Sequence, residues 1–174
     1  MVLWARLVLT IIRGLWRGRI DVMAPYTTQF RAYPLWDAET KTLNAARFVS
    51  FAELATNEVN VRNGFFKMFL HEGVIGLTCN TSVSYLRPVF IFKKIACTAQ
   101  LLAWDDKYFY RRVQFHQDGE LKCELFYRIL VKSFKKKKIS PGEILSWMGY
   151  ESLVSPELPK GVAQLLDYRA SKSN

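Results

Sequence analysis

The stretch Leu77-Thr78-Cys79-Asn80-Thr81-Ser82-Val83-Ser84-Tyr85 decides the fold. Leu77, Cys79, Thr81, Val83 and Tyr85 alternate with Thr78, Asn80, Ser82 and Ser84, the period of two that gives a strand one buried face. Three more strands follow it. Ile95 to Trp104 is apolar on both faces, as a central strand covered on either side would be. Tyr108 to His116 turns Phe109, Val113 and Phe115 inward, with Arg111 on the same face, where a charge needs an explanation. Gln117-Asp118-Gly119 is a tight turn, and Leu121, Cys123, Leu125, Tyr127, Ile129 and Val131 share one face of the last long strand.

Upstream of this run, Tyr26 to Tyr33 reads as a first strand ended by Pro34, and Asp37 to Thr42 as a polar loop. Asn44 is placed to cap a long helix over Ala45 to Asn63, in which Phe48, Phe51, Ala52, Ala55 and Val59 recur at helical spacing, and Gly64 is placed to end it. A short helix from Phe65 to Leu70 leads into the strands. Downstream, Ser140-Pro141-Gly142-Glu143 carries the N-cap serine, first-turn proline and glutamate of a helix start, and Ser155-Pro156 opens another short helix through Leu166. One strand, one long helix, then consecutive antiparallel strands predicts an α+β domain with one sheet face packed on a central helix.

The 174 residues, half of them hydrophobic, suffice for one domain with a sizeable core. Cys79, Cys97 and Cys123 are widely spaced within strands and form no CxxC or Cys/His pattern, so they read as buried, reduced thiols of a reducing compartment. The formal charge of +10 favours acidic partners such as nucleic acid, anionic lipid or polyphosphate cofactors. Lys135 to Lys138 concentrate part of it and read as a solvated strand end, with a docking patch as the alternative. The aromatics fall at strand positions rather than on a basic face, which argues against nucleic-acid binding outside a ribosome.

Residues 1 to 20 form a separate unit, with residues 21 to 174 as the globular domain. On a helix, Arg6, Thr10, Arg13 and Arg17 make one polar stripe on an apolar rod with no acidic residue before Asp21. Such an arginine-bearing, acid-poor amphipathic segment has the form of a mitochondrial targeting sequence. Arg6 and Arg13 interrupt it too early for a membrane span. Lying on a membrane surface or packing on a partner is the remaining role, and Trp4 and Trp16 suit an interface.

Chemistry-bearing patterns are few. No metal-ligand spacing, nucleophile elbow or phosphate-cradling glycine loop occurs. His71 and His116 read as surface or structural histidines, and Glu53 and Glu58 as a solvated helix face.

Three segments resemble the hotdog acyl-CoA thioesterases, most closely the thioesterase-superfamily member 6 group. Leu43-Asn44-Ala45-Ala46-Arg47-Phe48 is similar to that family's His-Met-Asn-Asn-x-Arg-Tyr. Tyr85-Leu86-Arg87-Pro88 and Leu101-Leu102-Ala103-Trp104-Asp105-Asp106-Lys107-Tyr108-Phe109-Tyr110 resemble its arginine-bearing strand end and Trp-Asp turn. Ser155-Pro156-Glu157-Leu158-Pro159 matches near the end. The resemblance spans roughly residues 28 to 167, and its Trp-Asp-Asp-Lys segment is the specific part.

The resemblance implies a hotdog fold, a long central helix wrapped by a curved antiparallel sheet, with an acyl-CoA site between paired protomers at the helix N-terminus. It implies Asp37 as base or nucleophile toward a thioester, with Asn44 and Arg47 binding substrate. No cofactor is implied beyond acyl-CoA as substrate or ligand. The loop departs from the family, being one residue shorter, with Thr42 in place of histidine, Lys41 in place of glycine and Ala45 in place of the second asparagine. These losses favour a non-catalytic accessory or structural subunit of a mitochondrial assembly, a respiratory-chain complex or a ribosome, inner-membrane-associated or in the matrix. An acyl-CoA thioester hydrolase is the alternative, and a homodimer fits either reading.

Overall fold

In the computed structural model, which describes residues 2–135 and 138–166, the elements run in the order the sequence predicts. They are α1 (Val2–Trp16), β1 (Tyr26–Arg31), α2 (Ala45–Asn63), α3 (Phe65–Glu72), β2 (Val74–Tyr85), β3 (Lys94–Trp104), β4 (Tyr108–Gln117), β5 (Glu120–Ser133), α4 (Pro141–Trp147) and α5 (Lys160–Leu166). The strands form one antiparallel sheet in the order β1-β3-β4-β5-β2, which curves around α2 as hotdog sheets do.

Local chemistry sets the boundaries. Asn44 caps α2 through its side-chain oxygen, which accepts from Ala46 N at 2.9 Å, and Gly64 ends the helix at φ 98°, a conformation that penalises any Cβ. The β4–β5 turn needs positive φ at both Asp118 and Gly119, the Asp-Gly signature of a tight hairpin. The Trp-Asp-Asp-Lys segment is the β3–β4 turn. Asp105 accepts from the backbone N–H groups of Lys107 and Tyr108 at 2.7 Å each and from Tyr110 Oη at 2.7 Å, so one carboxylate fixes the whole hairpin.

The core fills the space between α2 and the sheet. Phe48, Phe51, Ala52, Ala55 and Val59 meet Ile95, Cys97 and Ala99 of β3, Val113 and Phe115 of β4, and Cys123 and Leu125 of β5. A second cluster under α3 and α4 joins Val74, Phe109, Val131, Ile144 and Leu145. A third, smaller one seats Val162 and Leu166 of α5 against Phe126 on the opposite face of the sheet.

Four local expectations need correction. β2 is an outer strand bonded only to β5, and a register shift between Thr78 and Asn80 splits its alternation. Leu77 lies opposite Leu130 and is exposed with Cys79, whereas Thr81, Val83 and Tyr85 lie opposite the inward Tyr127, Leu125 and Cys123, where Val83 packs on the core and Tyr85 meets Phe48 at the sheet edge. Only Cys97 and Cys123 are therefore buried thiols. β3 buries one face fully and half-buries the other, because the tail covers that side only in part. Finally, Ser155 starts no helix. Its hydroxyl accepts from Trp104 N at 2.8 Å and donates to Trp104 O at 2.6 Å, pinning the tail to the end of β3, and α5 begins only after Pro159.

Lys132, Lys135 and Lys138 are exposed, as a solvated strand end would be, while Lys136 and Lys137 lie outside the described residues. No described helix is long and apolar enough to cross a membrane.

α1 packs lengthwise on α2, with Arg6 and Thr10 of its polar stripe turned inward and Arg13 exposed. Thr10 is buried and Gly14 lies so close to α2 that a Cβ there would come within 2.9 Å of Val61. The apolar side, including Trp4, Leu9, Ile12, Leu15 and Trp16, faces outward.

Candidate active site

The loop between β1 and α2 carries the residues that the resemblance singles out. It folds on itself around Asp37, whose N–H donates to Tyr33 O at 3.1 Å and whose carbonyl accepts from Asn44 N at 3.0 Å. Leu35 adopts φ 68° to close this turn, a left-handed conformation that costs energy outside glycine. Asp37 and Asn44 are thus brought together at the start of α2.

The side chain of Asp37 points elsewhere. Its carboxylate is 2% exposed and turned toward α1, where Arg6 Nη1 and Nη2 donate to its two oxygens at 2.7 and 2.8 Å. Tyr33 N adds a third hydrogen bond at 3.0 Å. The Arg6 guanidinium also lies 5.2 Å from the centre of the Phe51 ring, which fixes its plane. A fork-to-fork pair of this kind is the strongest that a carboxylate makes, and it occupies the oxygens a base or nucleophile would use.

Asn44 is also committed. Its oxygen caps Ala46 N and its amide donates to Glu39 at 3.1 Å. Arg47 N bonds to Asn44 O at 2.9 Å, so two N–H groups of the first helical turn are spent within the helix end. The half-buried side chain of Arg47 makes no hydrogen bond or ion pair among the described residues and is the only one of the three that remains available.

Two helical turns past Phe51, Arg17, which directly follows α1, makes a second arginine–carboxylate contact. Glu58 is 1% exposed and accepts from Arg17 at 2.9 Å, from Tyr26 Oη at 2.8 Å and from Thr28 Oγ1 at 2.7 Å. It is therefore no part of a solvated face, whereas Glu53 is exposed. Burial of this carboxylate is tolerable because three donors, Arg17, Tyr26 and Thr28, replace water. Helical spacing puts Arg6 and Arg17 on the same stripe but does not reveal the acids they reach, since those lie 31 and 41 residues downstream. His71 is exposed and His116 half-exposed, neither near Asp37 in any described contact, and no group of three metal-binding side chains occurs among the described residues.

Comparison with solved structures supports the fold. DHNA-CoA thioesterase from Staphylococcus aureus superposes with a TM-score of 0.63 at 15% identity, over 75% of this chain and 90% of that one. YbaW, a probable thioesterase from Escherichia coli, gives 0.63 at 17% identity over 72% and 96%. Slr0204, a 1,4-dihydroxy-2-naphthoyl-CoA thioesterase from Synechocystis, gives 0.61 at 10% identity over 72% and 95%. At such identities the likeness is one of fold. A family model covers more of the argument, matching residues 34–166 from the Asp37 loop to the end of α5. On that match, and on the sheet wrapped around α2, the chain belongs to the thioesterase-like superfamily.

Proposed function

We propose that this chain is a non-catalytic thioesterase-like hotdog subunit, of the member 6-like type, held on a membrane-associated mitochondrial assembly by α1. The observation that carries this reading is the Arg6–Asp37 pair, which occupies both oxygens of the candidate catalytic carboxylate. The loop substitutions at Lys41, Thr42 and Ala45 point the same way. Docking is supported by the outward apolar side of α1 on a chain of net charge +10, a combination suited to an anionic lipid surface beside protein subunits. A second copy would pair along the exposed outer strand β2, as hotdog dimers do.

The competing reading, an acyl-CoA thioester hydrolase, draws on one observation. The loop still brings Asp37 and Asn44 to the start of α2, with Arg47 free to meet a CoA phosphate. Purified full-length protein, assayed against short-, medium- and long-chain acyl-CoA, separates the two. Absence of turnover in the wild type, together with migration in a large complex from gently solubilised mitochondria, supports the subunit. Turnover abolished by Asp37→Ala establishes the hydrolase.

A further inference from the structure

A cavity of about 390 Å³ lies between the C-terminal half of α2 and the sheet, away from the Asp37 loop. Most of its wall is apolar, with Phe65, Phe66 and Phe69 from α3 and Leu145 and Met148 from the α4 side. Leu7 and Ile11 of α1 close another side, and Glu53 sits at the rim. Its volume is near the lower end of ligand pockets, about 300–1,000 Å³. That suits a compact apolar chain.

The floor is polar. Arg111 of β4 and Tyr127 of β5 are direct cross-strand partners, 8% and 4% exposed, and both line the cavity. Arg111 donates to Asn60 Oδ1 at 3.0 Å. Its Nε and the Tyr127 hydroxyl have no hydrogen-bond partner among the described residues. Leaving two buried donors unmet is costly, and a buried guanidinium with one neutral amide partner is costlier still. Burial lowers Arg111 to about 10, which leaves it charged at neutral pH. No carboxylate hydrogen-bonds the inward arginine of β4 among the described residues; Glu53, the acid on the cavity wall, acts on Tyr127 without bonding to it.

We infer that this cavity binds a medium-chain carboxylic acid, its carboxylate on Arg111 and Tyr127 and its alkyl chain along the α3 and α4 walls. The carboxylate supplies the acceptors that Nε and the hydroxyl lack, and the apolar walls take the chain. Such a site lies beyond the proposed subunit role and needs no hydrolysis. It also differs from a thioester site, because an uncharged thioester would leave the guanidinium without a counter-charge.

The test is calorimetric titration of the full chain with decanoate and with decanol, each below its aggregation concentration. Wild-type protein is expected to prefer decanoate by about ten- to a hundredfold, the worth of a buried charge-assisted contact. Arg111→Met should abolish that preference by weakening decanoate alone, and Tyr127→Phe should reduce it several-fold. No binding of decanoate to wild type, or equal binding of acid and alcohol, overturns the inference. So does a preference that survives Arg111→Met. If that variant does not fold, the wild-type comparison and Tyr127→Phe still decide.

Discussion

Arg6 on the second turn of α1 holds both carboxylate oxygens of Asp37, at 2.7 and 2.8 Å, across a gap of 31 residues in sequence. Asp37 is buried, so loss of the arginine leaves an anion with one backbone donor. Arg6→Ala is expected to destabilise the protein by about 3 kcal/mol, the lower end of the cost of breaking a buried pair, since Arg6 itself is partly exposed. Denaturant unfolding of the two single variants and Arg6→Ala/Asp37→Ala would measure the coupling, and additive effects would refute the pair's importance.

Gly14 is where α1 and α2 come closest. A side chain there meets Val61 at 2.9–3.0 Å, so Gly14→Leu must push α1 outward and loosen both arginine contacts. The expected cost is about 1–3 kcal/mol. Proteolysis should then cut between α1 and β1 faster than in the wild type, while far-UV circular dichroism at moderate temperature stays unchanged.

Alkaline pH should destabilise the fold from about pH 9 upward. Burial pushes the Cys123 thiol up to about 12 from 9.0 and raises Cys97 well above its ordinary value, and burial likewise raises Tyr110 and Tyr127. Each native group keeps its proton where the unfolded chain has lost it, so stability is full below the unfolded value and falls as pH rises. Arg111 acts in the opposite sense, because the unfolded chain binds more protons between about 10 and 12.5. Burial raises Tyr85 as well, and five groups against one give a net fall, seen as a dropping Tm between pH 8 and 11. A flat Tm across that range would contradict the burial of these side chains.

In ligand-free protein Arg111→Met is expected to stabilise rather than destabilise. Replacing a buried, poorly paired charge by an apolar side chain of similar length gains about 1–4 kcal/mol. Thermal unfolding at neutral pH checks the sign, and a lower Tm would mean that the Asn60 contact matters more than desolvation.

The outward side of α1 should bind anionic vesicles. Trp4 and Trp16, 72% and 88% exposed, are expected to shift their emission to the blue on phosphatidylserine vesicles, and less so at high salt. Leu9→Glu with Ile12→Glu should lower vesicle affinity at least about tenfold, the cost of placing charge where apolar contact is made. These positions point away from α2, so the Tm should not change.

The sheet was legible because its signals are local. Period-two alternation, an Asp-Gly turn and a capped helix with Gly64 at its end act over a few residues, and all were placed within a few residues of their observed limits. β2 shows where such reading stops. Alternation alone puts Leu77 on one face with Thr81, Val83 and Tyr85, but the register shift between Thr78 and Asn80 turns Leu77 to the other face, and nothing in the local sequence announces that shift. The candidate site was half legible for the same reason. Asn44 could be read as a cap from its own neighbours, whereas the partner of Asp37 lies on a helix read as a targeting or docking segment separate from the globular domain. Glu58 was misread because its three donors come from two elements far from it in sequence. Arg111 was conspicuous on an inward face, yet nothing local revealed the cavity above it.

The inward stripe of α1 also orders events during synthesis. Arg6 and Arg17 leave the ribosome 31 and 41 residues before Asp37 and Glu58, an interval of roughly 2–8 seconds at translation rates of about 5–20 residues per second. For that time the arginines have no acid to meet, and the apolar side of the helix has no body behind it. α1 can therefore take its place only once α2 has been made, and the part of the chain synthesised first is among the last to dock.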